Sequence, residues 1–414
     1  MPHFEYRNGE FHCESTPLRT IADAVGTPTY VYSRAALVEN YRAYDAAVAS
    51  HPHLIAYAMK ANANLAVVAT LAREGAGAEV FSGGELFRAL KAGVQPKKII
   101  YAGPGKTREE MRDALKAEIL MFNVESAGEL ALLDRVAQEL GTRAPVALRV
   151  NPDVDPETHP YISTGLRTAK FGIPIAQAVE EYRKAARLPG IEVVGVHMHI
   201  GSQLTKVAPI ADALARVVNL VETLRSQGVP IRLLDVGGGL GIRYRDEDVP
   251  TPGQYAEVVL SAAGRLGLTL ILEPGRSIVG NAGILLTRVL YNKETPDKRF
   301  VVVDAAMNDL IRPSLYDAYH EILPVPEARG RPSRTVDVVG PVCESGDFLA
   351  RDRALPEVDE GELLAVMSAG AYGFVMASNY NARPRAPEVL VDGSRYAIVR
   401  RRESYEDLIA GESI

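Results

Sequence analysis

Between about residue 53 and residue 276 the chain alternates short apolar runs with longer amphipathic stretches. Eight runs stand out: LIAYAMK, AEVFS, KIIYAG, ILMFNVE, PVALRVN, VVGVHMHIG, RLLDVGGG and TLILEPGR. Their length and bounding residues predict strands, and the segments between them repeat their apolar positions at helical period. SAGELALLDRVAQEL (126–140) and PIADALARVVNLVETLRSQG (209–228) are clear cases, each ending at or near a glycine as a C-cap would. Eight strand–helix units predict an α/β architecture, a closed (β/α)8 TIM-type barrel over residues 33–280. An open doubly wound sheet is the alternative. Beyond Arg276 the helical period stops, and GILLTRVLYNK, KRFVVVDAAM, RTVDVVGPVC, GELLAVMSAG and PEVLVDGSRYAIVRR read as strands. They predict an all-β domain over 281–414, joined by the N-terminal segment 1–32 with its Asn8-Gly9 turn and the strand TPTYVYS. PEARGRPS (326–333) reads as an exposed loop.

The polar residues on the eight runs are not scattered. Lys60, Glu79, Asn123, Arg149, Asn151, His197, His199, Asp235, Glu273 and Arg276 all fall at or just beyond the carboxyl half of an apolar run. In a barrel those ends converge on one rim, where sites are assembled from several strands at once. A single lysine there would be explained by its ammonium reaching out to solvent. A lysine, two histidines and a carboxylate on the same rim predict a site.

Composition narrows the ligand. The 414 residues are 47% apolar with a net charge of −6 spread without long runs of one sign, which points away from nucleic acid and anionic membranes and towards a small molecule. No apolar stretch approaches the roughly 20 residues of a membrane span, and the N-terminus lacks the form of a signal peptide, so a cytoplasmic location is expected. Two cysteines, Cys13 and Cys343, are too few for a disulfide framework or a multi-cysteine zinc site.

Glycine-rich GGGLG (237–241) follows the seventh strand and EPGR (273–276) the eighth, where barrels commonly hold a phosphate, and Ser202 could add a hydroxyl. A lysine, a phosphate cradle and a carboxylate on one rim point to pyridoxal phosphate, with Lys60 as its covalent anchor and Glu273 as partner of the pyridine nitrogen. His199 could lie against the ring and His197 fix its neighbours. A metal hydrolase built on HMH is the competing reading, but it lacks further ligands beyond His159, and no metal is expected. A barrel that only binds or scaffolds would leave Cys343 and Glu344 unexplained.

YAMKANAN, HMHIGSQ, DVGGGLG, EPGRSIVGNAG, DAAMNDLIRPSLYDAYHEI, GPVCESGDFLARDR and GAYGFVMASNYNARPRAPEVLVDG, spread from residue 57 to 393, resemble the diaminopimelate decarboxylases. These are pyridoxal-phosphate enzymes of the alanine-racemase-like fold type. The resemblance implies decarboxylation of meso-2,6-diaminopimelate to L-lysine and CO2, the last step of lysine biosynthesis, by a homodimer with shared active sites. Sister decarboxylases acting on ornithine, arginine or carboxynorspermidine share the fold and the lysine. By motif, Lys60 is the Schiff-base lysine and His199 stacks on the ring. Ser202, Gly238, Gly239 and the backbone of Glu273, Pro274, Gly275 and Arg276 hold the phosphate. The Glu273 side chain meets the pyridine nitrogen, where the racemase relatives place an arginine. Arg276, Arg312, Tyr316, Glu344 and Tyr372 resemble the substrate-binding set, Tyr372 also lying near the cofactor. Cys343 resembles the acid that protonates the carbanion, reaching with Glu344 from the partner subunit. The acidic neighbours Glu344 and Asp347 argue against an apolar burial of that thiol. Glu79 stands where aspartate is expected, and its role is open.

Overall fold

The computed structural model describes residues 3–155, 164 and 170–414, so His159 lies outside the described residues. The chain divides into two compact units, one of residues 39–242 and 248–277, the other of 1–38, 243–247 and 278–414.

The first unit contains the eight expected strands: β1 His53–Ala58, β2 Gly77–Val80, β3 Ile99–Tyr101, β4 Met121–Val124, β5 Ala144–Asn151, β6 Ile191–His197, β7 Leu233–Asp235 and β8 Thr269–Leu272. All neighbours run parallel. The barrel closes because β8 pairs with β1 through Ile271 and Leu54, and β4 pairs with β5 through Asn123 and Ala147. An open sheet is thereby excluded. Residues of alternate parity point inward, and Ala56, Ile100, Met121, Ala147, Val194 and Ile271 fill the centre as a buried apolar plug. Several helices start immediately after a strand, because a polar side chain at the junction takes up the first free N–H groups. Asn64 caps Leu65–Arg73, Ser82 caps Gly83–Lys91 and Ser126 caps Ala127–Glu139. Short junctions of this kind keep the residues at the strand ends close to the rim.

The second unit is β-rich. A small antiparallel sheet joins Phe4–Arg7, Glu10–Cys13 and Thr16–Pro17, with Asn8 and Gly9 both at positive φ in the turn. The larger sheet is organised on the long strand Gly283–Glu294, which pairs antiparallel with Thr29–Ser33, Arg299–Val303 and Leu363–Val366. Cys13 is fully buried among Phe11, Leu18, Ile21, Val31 and Leu286, and serves there as a small apolar side chain whose thiol burial pushes to higher pKa. Two strands have no counterpart in the sequence reading: Ile322–Pro324, and Phe348–Pro356 with its charged middle. Residues 243–247, which lie between β7 and β8 in sequence, belong to this second unit because Tyr244 packs edge-on against His320, 5.4 Å between ring centres.

Candidate active site

Lys60 sits in the single 3₁₀ turn Met59–Ala61 that ends β1. The turn is braced by Tyr57, whose hydroxyl donates to the Asn62 carbonyl at 2.8 Å, and by the Asn62 side chain, which accepts the Asn64 N–H at 3.0 Å. The lysine does not simply run out to solvent. Its Nζ lies 3.6 Å from Glu79 Oε2 and 4.1 Å above the centre of the Phe81 ring, with a third of the side chain exposed. Glu79, on β2, is thus the buried counter-ion of Lys60 in this structure.

Behind it lies a buried polar layer drawn from four strands. Asn123 Nδ2 donates to Asp235 Oδ2 at 2.9 Å and reaches Glu273 Oε1 at 3.4 Å, while His197 Nε2 stands 3.5 Å from Glu273 Oε2. Burial, then the neighbouring Glu79 charge, pushes the Glu273 carboxyl well above the usual carboxylate range, and burial and Glu273 do the same to Asp235. Burial lowers the His197 pKa, and among the described residues neither ring nitrogen has a hydrogen-bond partner. HMH therefore does not present two imidazoles to one ion. His197 turns inward with Asp235 and Glu273, whose ligand atoms lie within 4.8 Å of one another, and His199 stands apart beyond the end of β6. Burial, and Lys60 after it, pushes the His199 pKa well below its ordinary value. Its Nδ1 receives the Gly238 N–H at 3.3 Å, which an imidazolium could not accept.

The glycines after β7 are there for close approach. A Cβ on Gly238 would stand 2.1 Å from the Glu273 carbonyl oxygen, and one on Gly239, at φ +107°, would stand 2.4 Å from the Gly201 carbonyl oxygen. Gly275 likewise packs its bare Cα side against the Ala58 and Ala61 methyls, and Ala58 donates its N–H to the Pro274 carbonyl at 3.1 Å. Arg276 NH2 donates to Ser202 Oγ at 3.1 Å, tying the loop after β8 to the loop after β6. Lys60, His199, Ser202, Gly238, Gly239 and Glu273 to Arg276 are thus gathered at the carboxyl ends of neighbouring strands.

Arg312, Tyr316, Cys343, Glu344 and Tyr372 lie in the second unit. Arg312 is buried at the start of the short helix Arg312–Tyr316, its guanidinium carbon 5.0 Å from the Tyr244 ring centre and 5.9 Å from that of Tyr316. Tyr372 adopts a left-handed backbone at φ 54°, a conformation a tyrosine holds only when its surroundings enforce it. Cys343 and Glu344 are exposed, with the Cys343 N–H donating to Asn381 Oδ1 at 3.1 Å. Cys343 is exposed as expected, but Asp347 is itself buried: it accepts the Met307 and Val342 N–H groups at 2.7 Å each and staples the loop.

Sequence reasoning missed three groups. Glu125 accepts from Arg149 at 2.7 Å and from the Gly172 N–H at 2.9 Å; Phe81 lies under Lys60; His320 meets Arg312 Nε at 3.3 Å. Glu125 does end an apolar run, which is a signal of the same kind as the residues that were singled out. Phe81 and His320 carry none.

These residues fit pyridoxal phosphate. The lysine is at hand, three glycines open backbone to an anion, and buried Glu79 Oε2 and Glu273 Oε2 have no hydrogen-bond partner among the described residues. Fold and rim together define a barrel-type pyridoxal-phosphate enzyme, and the family model for the pyridoxal binding domain of pyridoxal-dependent decarboxylases matches residues 34–280. A diaminopimelate decarboxylase from Pseudomonas aeruginosa is 56% identical over 414 residues, covering 100% of this chain and 99% of that one. The crystal structure of diaminopimelate decarboxylase from Helicobacter pylori with L-lysine is 43% identical with a TM-score of 0.92, covering 95% of this chain and 98% of that one. The M. jannaschii diaminopimelate decarboxylase in complex with L-lysine is 41% identical with a TM-score of 0.95, covering 99% and 98%. The chain belongs to the diaminopimelate decarboxylase family.

Proposed function

We propose that the chain removes the D-centre carboxyl group of meso-2,6-diaminopimelate as CO2 and leaves L-lysine, the last step of lysine biosynthesis. The observation that carries the reading is the barrel rim, where Lys60 sits against a buried glutamate beside a glycine cradle and the buried carboxyl of Glu273. Relatives crystallised with L-lysine support the product. Pyridoxal phosphate, when bound, supplies a ring that accepts the electron pair left on Cα as CO2 departs. Lys60 is the amine that anchors it. The backbone of Gly238, Gly239 and Glu273 to Arg276, with the Ser202 hydroxyl, holds its phosphate. Glu273 would meet the ring nitrogen, and a carboxyl whose proton affinity burial has raised is suited to hold a proton shared with that atom. His199, neutral and fixed by the Gly238 N–H, offers a flat face with no charge to repel the ring. Cys343 returns a proton to Cα, and Arg276, Arg312, Tyr316, Glu344 and Tyr372 take the amino-acid heads of the substrate.

We infer a homodimer whose sites are shared, since Cys343 is exposed on its own chain, as a group that works in another subunit's site would be. The barrel over 33–280 binds the cofactor in this reading, and residues 1–32 and 281–414 contribute to substrate binding and to the dimer. Among the described residues no helix is long and apolar enough to cross a membrane, which agrees with work in the cytoplasm. The test is CO2 release from meso-diaminopimelate, L-ornithine and L-arginine. A site built to bond a distal carboxylate rejects a substrate lacking it by about 10⁴-fold. Equal rates from ornithine or arginine would move the chain's activity to that of a sister decarboxylase.

A further inference from the structure

We propose that His320 is a positioning residue for the distal carboxylate of the substrate, acting through Arg312; this rests on the reading of Arg312 as a substrate-binding group. His320 is fully buried, with Nδ1 2.8 Å from the Met367 carbonyl oxygen and Nε2 3.3 Å from Arg312 Nε. A carbonyl oxygen only accepts and a guanidinium N–H only donates. The tautomer is therefore fixed: Nδ1 carries the proton and Nε2 turns its lone pair to Arg312. An imidazolium in the same place would set N–H against N–H.

The imidazole is itself firmly mounted. Its Met367 partner follows the strand Leu363–Val366, which pairs with Ile322–Pro324 just after His320, and the Met367 N–H donates to the Glu321 carbonyl at 2.8 Å. The His320 carbonyl accepts from Arg353 NH1 at 2.6 Å. Tyr244 covers both groups, its ring edge-on to the imidazole at 80° and beneath the guanidinium at 5.0 Å. Because a guanidinium is planar and rigid, holding Nε and one face fixes the plane and so the direction of the two terminal nitrogens. Arg312 then meets a carboxylate without first surrendering the rotamer freedom of a long side chain. His320 has no chemistry of its own in this scheme.

The test compares His320→Asn, which can keep the bond to Met367 but cannot reach Arg312, with His320→Gln, whose amide oxygen extends to where Nε2 lies. Affinity of the holoenzyme for L-lysine is measured by calorimetry, and KM and kcat for meso-diaminopimelate are measured beside it. A lost hydrogen bond to a charged group predicts that His320→Asn weakens lysine binding and raises KM by about tenfold or more, with kcat within roughly twofold. His320→Gln recovers part of the affinity, and the visible absorbance of bound cofactor is the same in all. In an Arg312→Leu background, adding His320→Asn changes nothing further. Unchanged lysine affinity in His320→Asn, or an equal added loss in the Arg312→Leu background, overturns the positioning role while leaving Arg312 in place. Unchanged affinity in Arg312→Leu alone overturns the reading of Arg312 instead. Should His320→Asn not fold, His320→Gln and the similarly sized His320→Met carry the comparison, and equal affinities in those two overturn the proposal.

Discussion

Replacing Gly239 by alanine should loosen the cofactor without touching any group that reacts. The added methyl would stand 2.4 Å from the Gly201 carbonyl oxygen and 2.9 Å from Leu204 Cδ1, on a backbone whose φ of +107° side chains rarely adopt. An ordinary contact needs roughly 3.4 Å or more, so the two loops must part by about 1 Å, on top of a backbone strain of about 1–3 kcal/mol. They are not free to part. Leu204 donates its N–H to the Gly239 carbonyl and accepts that of Gly241, each at 2.9 Å, while the Gln203 side chain donates to the Ile242 carbonyl at 2.6 Å and accepts its N–H at 3.2 Å. The shift therefore falls on the backbone N–H groups assigned to the phosphate. A hydrogen bond to a charged group contributes about 1.5–3 kcal/mol, so losing one raises the dissociation constant of pyridoxal phosphate roughly 10- to 100-fold. The assay is titration of cofactor-free protein with pyridoxal phosphate, followed by visible absorbance, with kcat measured at saturating cofactor. Binding within twofold of the parent protein would refute the cradle as the phosphate site.

Two further outcomes are expected. Lys60→Ala and Cys343→Ala proteins should each be nearly inactive, yet after subunit exchange half the dimers are mixed with one intact site each, so about a quarter of parental activity returns; no recovery after verified exchange would place both residues in one chain's site. Asp309→Asn tests a buried carboxyl that burial pushes up to about 7 despite the N–H it accepts from Ala306 at 3.0 Å. The folded protein holds this proton between the ordinary carboxylate range near pH 4 and about pH 7, where the unfolded chain has released it, so its contribution is complete at low pH and is lost as pH rises through 7. The variant should gain on the parent by on the order of 2 to 4 kcal/mol between pH 4 and pH 8 in urea unfolding, and an equal difference at both ends would refute the assignment.

The barrel was legible because its strands are buried on both faces and leave nearly continuous apolar runs. The helices between them announced themselves by period and by the Asn64, Ser82 and Ser126 caps. Phe348–Pro356 was not legible for the opposite reason: its centre, Arg351 to Arg353, meets solvent, so FLARDRALP shows no clean alternation. Ile322–Pro324 is too short to show any period. On the rim, Lys60, Glu273 and the glycines could be read because polar or flexible residues interrupt apolar strand ends, which local sequence reveals. That Lys60 answers to Glu79, or Arg312 to His320, is a consequence of tertiary placement. No spacing rule connects residues 19 positions apart on different strands, and nothing local distinguishes His320 from a histidine in a turn.

The loop from Gly340 to Asp347 separates what keeps its shape from what it displays. Its restraint comes from below, through the buried Asp347 carboxylate on the Met307 and Val342 N–H groups, whereas Cys343, Glu344 and Ser345 carry their side chains in the open. Replacing a tip residue removes no packing, so such changes should leave the fold nearly as stable as before, while replacing Asp347 strands two backbone donors at once. A lineage carrying this loop can therefore sample new residues at positions 343 to 345 over many generations with little selection against misfolding. Stability is thus judged at Asp347 and turnover at the tip, so that a change at positions 343 to 345 is tested by what it does to the reaction and not by whether the chain folds.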